Sequence, residues 1–343
     1  MKVGINGFGR IGRAIFRIMW NRKNMDCVYV NEPFGTIEDI AYFLKYDSLY
    51  GRFWANVDII DDNTLKVSSQ NNTLYTHISH FEDVSEFCDI LKDDVYIIES
   101  CGKPENVLFY KNHSNRKAIF TLSSTEIISE IILGVNQEKL LYSKINFISG
   151  SICDAVALAP VLKSVFDNAN IDQTIITTMH PALSYQKVID NYTSSDIHRS
   201  LGRQYIDSII PKRTSAEKVL LKFYPDKKIR CMSFRIPTES VCAANITFIS
   251  KSPINLNNIV SNLNNKEEIE FCYDDLVSID FKASMVSATV DMRWTEVIDN
   301  NILRMTIWYD NEYGYSSKII DLLELWDRWT TEGGYAVEDW NIK

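Results

Sequence analysis

The sequence predicts an α/β chain of two domains, the first a doubly wound parallel sheet and the second an α+β domain on a mostly antiparallel sheet. Three observations predict it. The 343 residues suffice for two separately buried cores. The first half alternates short β-rich runs with amphipathic helices, as a parallel sheet covered on both faces requires. After residue 150 the strand candidates lengthen and helices become rarer, which points to antiparallel pairing.

"KVGIN" reads as a strand, "GRIGRAIFRIMWN" as a helix, "CVYVN" as a strand and "TIEDIAYFLKYD" as a helix. "DVYIIES", "KAIFTLS" and "INFISG" continue the strand series. "CDAVALAPVLKSVFDNA" is a helix. The long runs "QTIITTMH", "IRCMSFRIP", "VCAANITFIS", "ASMVSATVDMRW" and "ILRMTIWYD" are strands of the second sheet, and "NLNNIVSNLNNKEE" is a polar helix or loop. The final helix, "SSKIIDLLELWDRW", is expected to return to the first domain. The expected division is 1–150, 151–317, and a 318–343 helix with a tail, "TTEGGYAVEDWNIK", for which the sequence supplies no role.

The net charge of −9 argues against nucleic acid as the main partner. No apolar run reaches membrane-spanning length, and "MKVGING" opens a strand rather than a signal peptide. The seven cysteines are scattered without paired metal spacing, so no metal is expected and a reducing, cytoplasmic setting is. The default for each cysteine is a small buried apolar residue.

"INGFGRIGR" sets Gly7, Gly9 and Gly12 in the spacing G-x-G-x-x-G between a strand and a helix. Such glycines permit a tight turn, approach of backbone to a pyrophosphate, and close helix–strand packing, while the helix start offers N–H groups. Glu32 follows Gly12 by about 20 residues, at the end of the second strand, where a ribose 2′-hydroxyl is bound. A carboxylate there accepts from the diol and repels a 2′-phosphate. A Rossmann domain that binds NAD rather than NADP is therefore expected.

Cys153, in "SGSICDAVALAP", stands at a helix start, which favours a thiolate, but Asp154 follows directly and opposes one. Further along come "KYDSLYGRF", "LGVNQEK", "TTMHPALSYQKVIDNY", "SIIP", "FRIPT" and "WYDNEYGYS". With "INGFGRIGR", and in this order, these segments resemble the phosphorylating glyceraldehyde-3-phosphate dehydrogenases over nearly the whole chain. The resemblance leans toward the erythrose-4-phosphate type. It implies a homotetramer acting on a small, phosphorylated aldehyde, through a thiohemiacetal and a thioester. It makes Cys153 the nucleophile and His180 the acid–base partner. Asn6, Arg10, Ile11 and Gly102 match cofactor contacts, Asn311 the nicotinamide carboxamide ligand, and Tyr315 the ring beside it, although Tyr315 also reads as ordinary core. His77, His80, His113 and His198 match no functional position.

The departures from the family lie at its two anion sites. Ile152 and Asp154 replace the usual hydroxyl residues beside the nucleophile, and Thr214 is followed by Ser215 instead of glycine. Leu183 replaces a threonine past the histidine. An apparent insertion in "DIHRSLGR" leaves open whether Arg199 or Arg203 supplies the guanidinium there, while Arg235 remains as a planar fork for phosphate or carboxylate. A phosphate roughly 4 Å from Asp154 meets repulsion of about 4 kcal/mol per unit charge at an effective dielectric near 20. Ser151 and Asp154 also have the spacing of a capping box, with Ser151 as N-cap. Ser151, Ile152, Asp154, Thr214, Ser215 and Arg235 thus form the expected substrate site, with acyl release to water. A non-catalytic NAD-binding relative and a hydrolase using the same cysteine are the alternatives.

Overall fold

The structure is a computed structural model that describes residues 1–113, 116–124, 129–142, 146–193 and 199–331. His198 and the tail from residue 332 lie outside the described residues. Two compact units make up the chain: Met1–Ile152 together with the chain from Ser316, and Cys153–Tyr315.

The first unit opens with β1 (Lys2–Asn6), α1 (Arg10–Met19), β2 (Asp26–Asn31) and α2 (Ile37–Lys45). Thr36 and Asp39 form a reciprocal capping box that starts α2, and its predicted last residues become a short hairpin, β3 (Tyr46–Asp47) with β4 (Gly51–Arg52). The meander β5 (Asn56–Asp61), β6 (Thr64–Ser68) and β7 (Thr73–Ser79) follows, then α3 (Val84–Ile90), β8 (Val95–Glu99), α4 (Glu105–His113), β9 (Ala118–Phe120), the single turn α5 (Lys139–Tyr142) and β10 (Phe147–Ser149). The sheet order is β10-β9-β8-β1-β2-β7-β6-β5. It is parallel from β10 through β7, and the β7-β6-β5 end is antiparallel. That meander escaped the sequence reading because β5 exposes all but one residue, which erases the apolar run of a buried parallel strand.

The second unit begins with α6 (Cys153–Asn168), then β11 (Ile171–His180), β12 (Ile210–Lys212), α7 (Ala216–Phe223), β13 (Lys228–Arg235), β14 (Cys242–Ser250), α8 (Leu256–Asn264), β15 (Ile269–Cys272), β16 (Ala288–Ile298) and β17 (Ile302–Tyr309). Their sheet runs β12-β13-β11-β14-β17-β16-β15 and is mostly antiparallel, with parallel pairs β11–β13 and β15–β16. α6 is nearly all buried from Asp154 to Leu162 and packs on α7 and α8. An amphipathic stripe is absent from it because it is a core helix, apolar all round.

The last helix, α9 (Tyr313–Thr331), contributes its residues from Ser316 to the first unit. Ile320, Leu323 and Trp326 are buried there. Arg22 pairs with Asp321 at 2.6 Å, and the Tyr96 hydroxyl donates to Asp327 at 2.6 Å. Among the described residues no helix is long and apolar enough to cross a membrane.

Candidate active site

In the first unit the turn after β1 shows why glycine is needed. Gly7 has φ +91°, and a Cβ there would lie 2.5 Å from the Cys101 nitrogen. A Cβ on Gly12 would lie 2.2 Å from the Gly7 oxygen, so α1 packs against the turn itself. Gly9 is different: nothing lies within 4 Å of its missing Cβ. The open side of the turn is therefore at Gly9, directly before the backbone N–H groups of Arg10 and Ile11 that head α1.

A cavity of about 160 Å³ adjoins this turn, lined by Asn6, Gly7, Gly9, Glu32, Phe34 and Lys103 among others. Glu32 accepts from the N–H of Phe8 at 2.7 Å and of Phe34 at 3.1 Å, which fixes its carboxylate at the cavity wall. Asn6 is buried, and its amide is spent on Glu99 and Asn31, each at 2.8 Å, so it shapes the wall rather than reaching a ligand. The Arg10 guanidinium pairs with Asp47 at 2.6 Å, which leaves its backbone as the part facing the turn. Gly102 has φ +71° and open space where a Cβ would stand. Sequence reasoning missed Glu99, Cys101 and Phe34. Glu99 is wholly buried, burial raises its carboxyl pKa, and it receives the Cys101 thiol at 2.6 Å. The strand ending "ESC" was visible, but not that both side chains turn toward the turn of β1.

In the second unit β11 and β13 run parallel in register, so His180 and Arg235 stand side by side at their ends. The Cys153 sulfur, at the start of α6, is 3.9 Å from His180 Nε2 and 3.9 Å from Asp154 Oδ1. His180 Nδ1 lies 2.9 Å from the Pro181 carbonyl oxygen. A carbonyl only accepts, so Nδ1 carries the proton and Nε2 presents its lone pair toward the sulfur. Burial lowers the His180 pKa, opposed by Asp154 and aided by Arg235, so the ring is neutral.

Two expectations need correction here. The helix start does not lower the Cys153 thiol pKa: burial raises it, Asp154 adds to this, and local N–H groups and Arg235 only partly offset them. Nor do Ser151 and Asp154 form a capping box. Ser151 is wholly buried, with φ +63°; its N–H donates to Ser149 Oγ at 2.8 Å and its hydroxyl to Glu130 at 3.1 Å. That hydroxyl is engaged at Glu130. Asp154 instead accepts from the Tyr309 hydroxyl at 2.8 Å and from Thr214 at 3.4 Å.

Thr214 also accepts the Ala216 N–H at 3.1 Å, so both its roles are internal, and Ser215, before α7, is exposed. Ile152 is half-buried. Arg235 is nine-tenths buried; Nη2 donates to the Tyr185 hydroxyl at 3.3 Å, while Nε and Nη1 have no partner among the described residues. Lys212 donates to the same Tyr185 at 3.0 Å. Arg203 is held by Asp190 at 2.8 Å, and Arg199 is exposed. Asn311 and Tyr315 are both buried. Tyr309, Tyr185 and Lys212 were missed; Tyr309 sat inside the quoted "WYDNEYGYS", where strand periodicity gives its burial but not its partner.

Residues 1–105 match the NAD-binding domain of glyceraldehyde 3-phosphate dehydrogenase, and residues 152–311 match that family's C-terminal domain. The chain is 31% identical over 337 residues to the glyceraldehyde-3-phosphate dehydrogenase of Buchnera aphidicola, covering 95% of this chain and 98% of that one. This chain belongs to the glyceraldehyde-3-phosphate dehydrogenase family. The enzyme of Echinococcus multilocularis is 32% identical over 334 residues, with 94% and 97% of the two chains covered. A chloroplast member from Arabidopsis thaliana is 31% identical over 336 residues, covering 94% and 77%. Membership makes the chain an NAD-dependent oxidoreductase. The open side of the turn at Gly9 and the anchored Glu32 carboxylate fit that cofactor.

Proposed function

We propose that this protein oxidises a small phosphorylated sugar aldehyde and releases the acid mainly to water. The observation that carries the reading is the Cys153 sulfur 3.9 Å from His180 Nε2, with Nδ1 of that ring anchored on Pro181. Cys153 and His180 make a neutral pair at rest. As the sulfur bonds to the aldehyde carbon, Nε2 takes the thiol proton and returns it to the carbonyl oxygen, giving a thiohemiacetal. NAD, when bound, supplies the hydride acceptor that turns this adduct into a thioester. Nε2 holds the hydroxyl proton lost in that change and passes it to the sulfur when water cleaves the thioester: the water oxygen bonds to the acyl carbon as the carbon–sulfur bond breaks, and its protons leave to solvent as the carboxylate forms. Gly7, Gly9, Gly12, the N–H groups of Arg10 and Ile11, Glu32 and Gly102 are the proposed contacts of the dinucleotide, with Asn311 and Tyr315 for its nicotinamide end.

Arg235 is the proposed ligand of the substrate's own anion. Glyceraldehyde 3-phosphate, named by the relatives, and erythrose 4-phosphate are the first substrates to assay. Asp154 supports release to water: its carboxylate engages the Thr214 hydroxyl and repels an incoming phosphate dianion. The assay follows NAD reduction with each aldehyde while inorganic phosphate is raised from zero to saturation. Turnover without phosphate is expected, and Cys153→Ala ends turnover with NAD binding intact. A strict phosphate requirement overturns release to water.

A homotetramer in the cytoplasm is part of the same proposal. Seven free cysteines suit a reducing compartment. Tyr42, Phe43, Tyr46 and Trp54 supply exposed apolar surface for subunit contact.

A further inference from the structure

We propose that Cys153, Asp154 and His180 form a binding site for a thiophilic divalent cation, zinc above all. The thiol sulfur, one carboxylate oxygen and one imidazole nitrogen all lie within 4.8 Å of one another. The sulfur is 3.9 Å from each of the other two residues. Tetrahedral zinc, with bonds of about 2.0–2.3 Å, holds such ligand atoms roughly 3.5 Å apart. Small side-chain rotations therefore close the triangle.

The outer contacts are those a metal centre uses. His180 donates from Nδ1 to Pro181, which leaves Nε2 as the ligand nitrogen. Tyr309 and Thr214 hold the Asp154 carboxylate. Arg235 opposes a cation, since its charge acts on both Cys153 and His180. A thiolate and a carboxylate together outweigh that single charge. Binding replaces the thiol proton by the metal, so one proton leaves, and a fourth position stays open to water. Asp154 turns a cysteine–histidine pair into a three-ligand site.

Zinc held there occupies both the sulfur and Nε2, and so switches the enzyme off. That consequence rests on the reading of Cys153 as nucleophile, whereas the site does not. The full chain, stripped of metal by a chelator, is titrated with cobalt(II) chloride and followed by absorption. A single equivalent is expected to give tetrahedral visible bands and a thiolate charge-transfer band. Cys153→Ser removes the charge-transfer band, and Tyr309→Phe, which frees the carboxylate, weakens binding about 10- to 100-fold. Asp154→Asn weakens it at least as much. Octahedral bands, or a spectrum unchanged by Cys153→Ser and Asp154→Asn, overturn the site. The expected cobalt spectrum with undiminished turnover supports the site and counts against Cys153 as nucleophile.

Discussion

Arg235 is a charged group taken out of water with two nitrogens unpaired among the described residues. Leaving buried donors unsatisfied is unfavourable by about 1–3 kcal/mol each, and more for charged groups. An anionic ligand removes that penalty, so the site is poised for one. Arg235→Lys keeps the charge but loses the fork. Its expected effect is a rise in KM for the phosphorylated aldehyde of roughly 10- to 100-fold, with kcat changed much less. Steady-state kinetics check this; an unchanged KM removes Arg235 from the substrate site. The same scale explains Asp154. Its position beside Cys153 could be read from the chain. Its hydroxyl partners, Thr214 and Tyr309, stand 60 and 155 positions away, beyond any local pattern.

At the level of elements, the glycine turn separates binding from folding. Gly9 has φ −68° and an open side, so alanine fits the bare turn without clash. Gly9→Ala is expected to leave thermal stability nearly unchanged while weakening NAD binding at least tenfold, as calorimetry would register. Equal losses of both would mean that Gly9 is structural. The helix α9 makes the opposite kind of contribution. Trp326 is almost wholly buried in the first unit, beside Tyr96 at a ring separation of 6.3 Å. Trp326→Ala is expected to destabilise that unit by about 3–5 kcal/mol. Denaturant unfolding tests it, and a loss below 1 kcal/mol would show that α9 is not part of the core.

On the scale of the whole molecule, the first unit draws on both sides of the second in sequence. Its core is therefore incomplete until α9 is in place. Its acid stability rests partly on Asp47. Burial alone would raise that carboxyl pKa, but the Tyr50 and Leu49 N–H groups and the Arg10 guanidinium hold it below the ordinary range. A depressed carboxyl contributes stability above its unfolded pKa, about 3.9, and that share is lost as pH falls through the folded value. Asp47→Asn should therefore destabilise the protein at pH 7 and converge on the parent in strong acid. A constant difference across pH would place the effect in packing instead.

Strongly periodic segments were legible: β1, α1, β2, β11, β14, β17 and α9 follow from hydrophobic period, and α6 from its unbroken apolar run. The meander β5–β7 and the short strands β12 and β15 were not, because exposed or brief strands lack a buried run to mark them. By itself the sequence determined the glycine turn with Glu32, Cys153 and His180 as candidates for the chemistry, and Asp154 directly beside that cysteine. Each depends on residue type and short spacing, which the chain states directly. Only the tertiary structure decided that burial and Asp154 raise the Cys153 thiol pKa, that the Ser151 hydroxyl meets Glu130, and that Arg235 has two nitrogens unpaired among the described residues. Those outcomes depend on burial and on partners brought from distant segments, and protonation and pairing are set by those surroundings rather than by the residue alone.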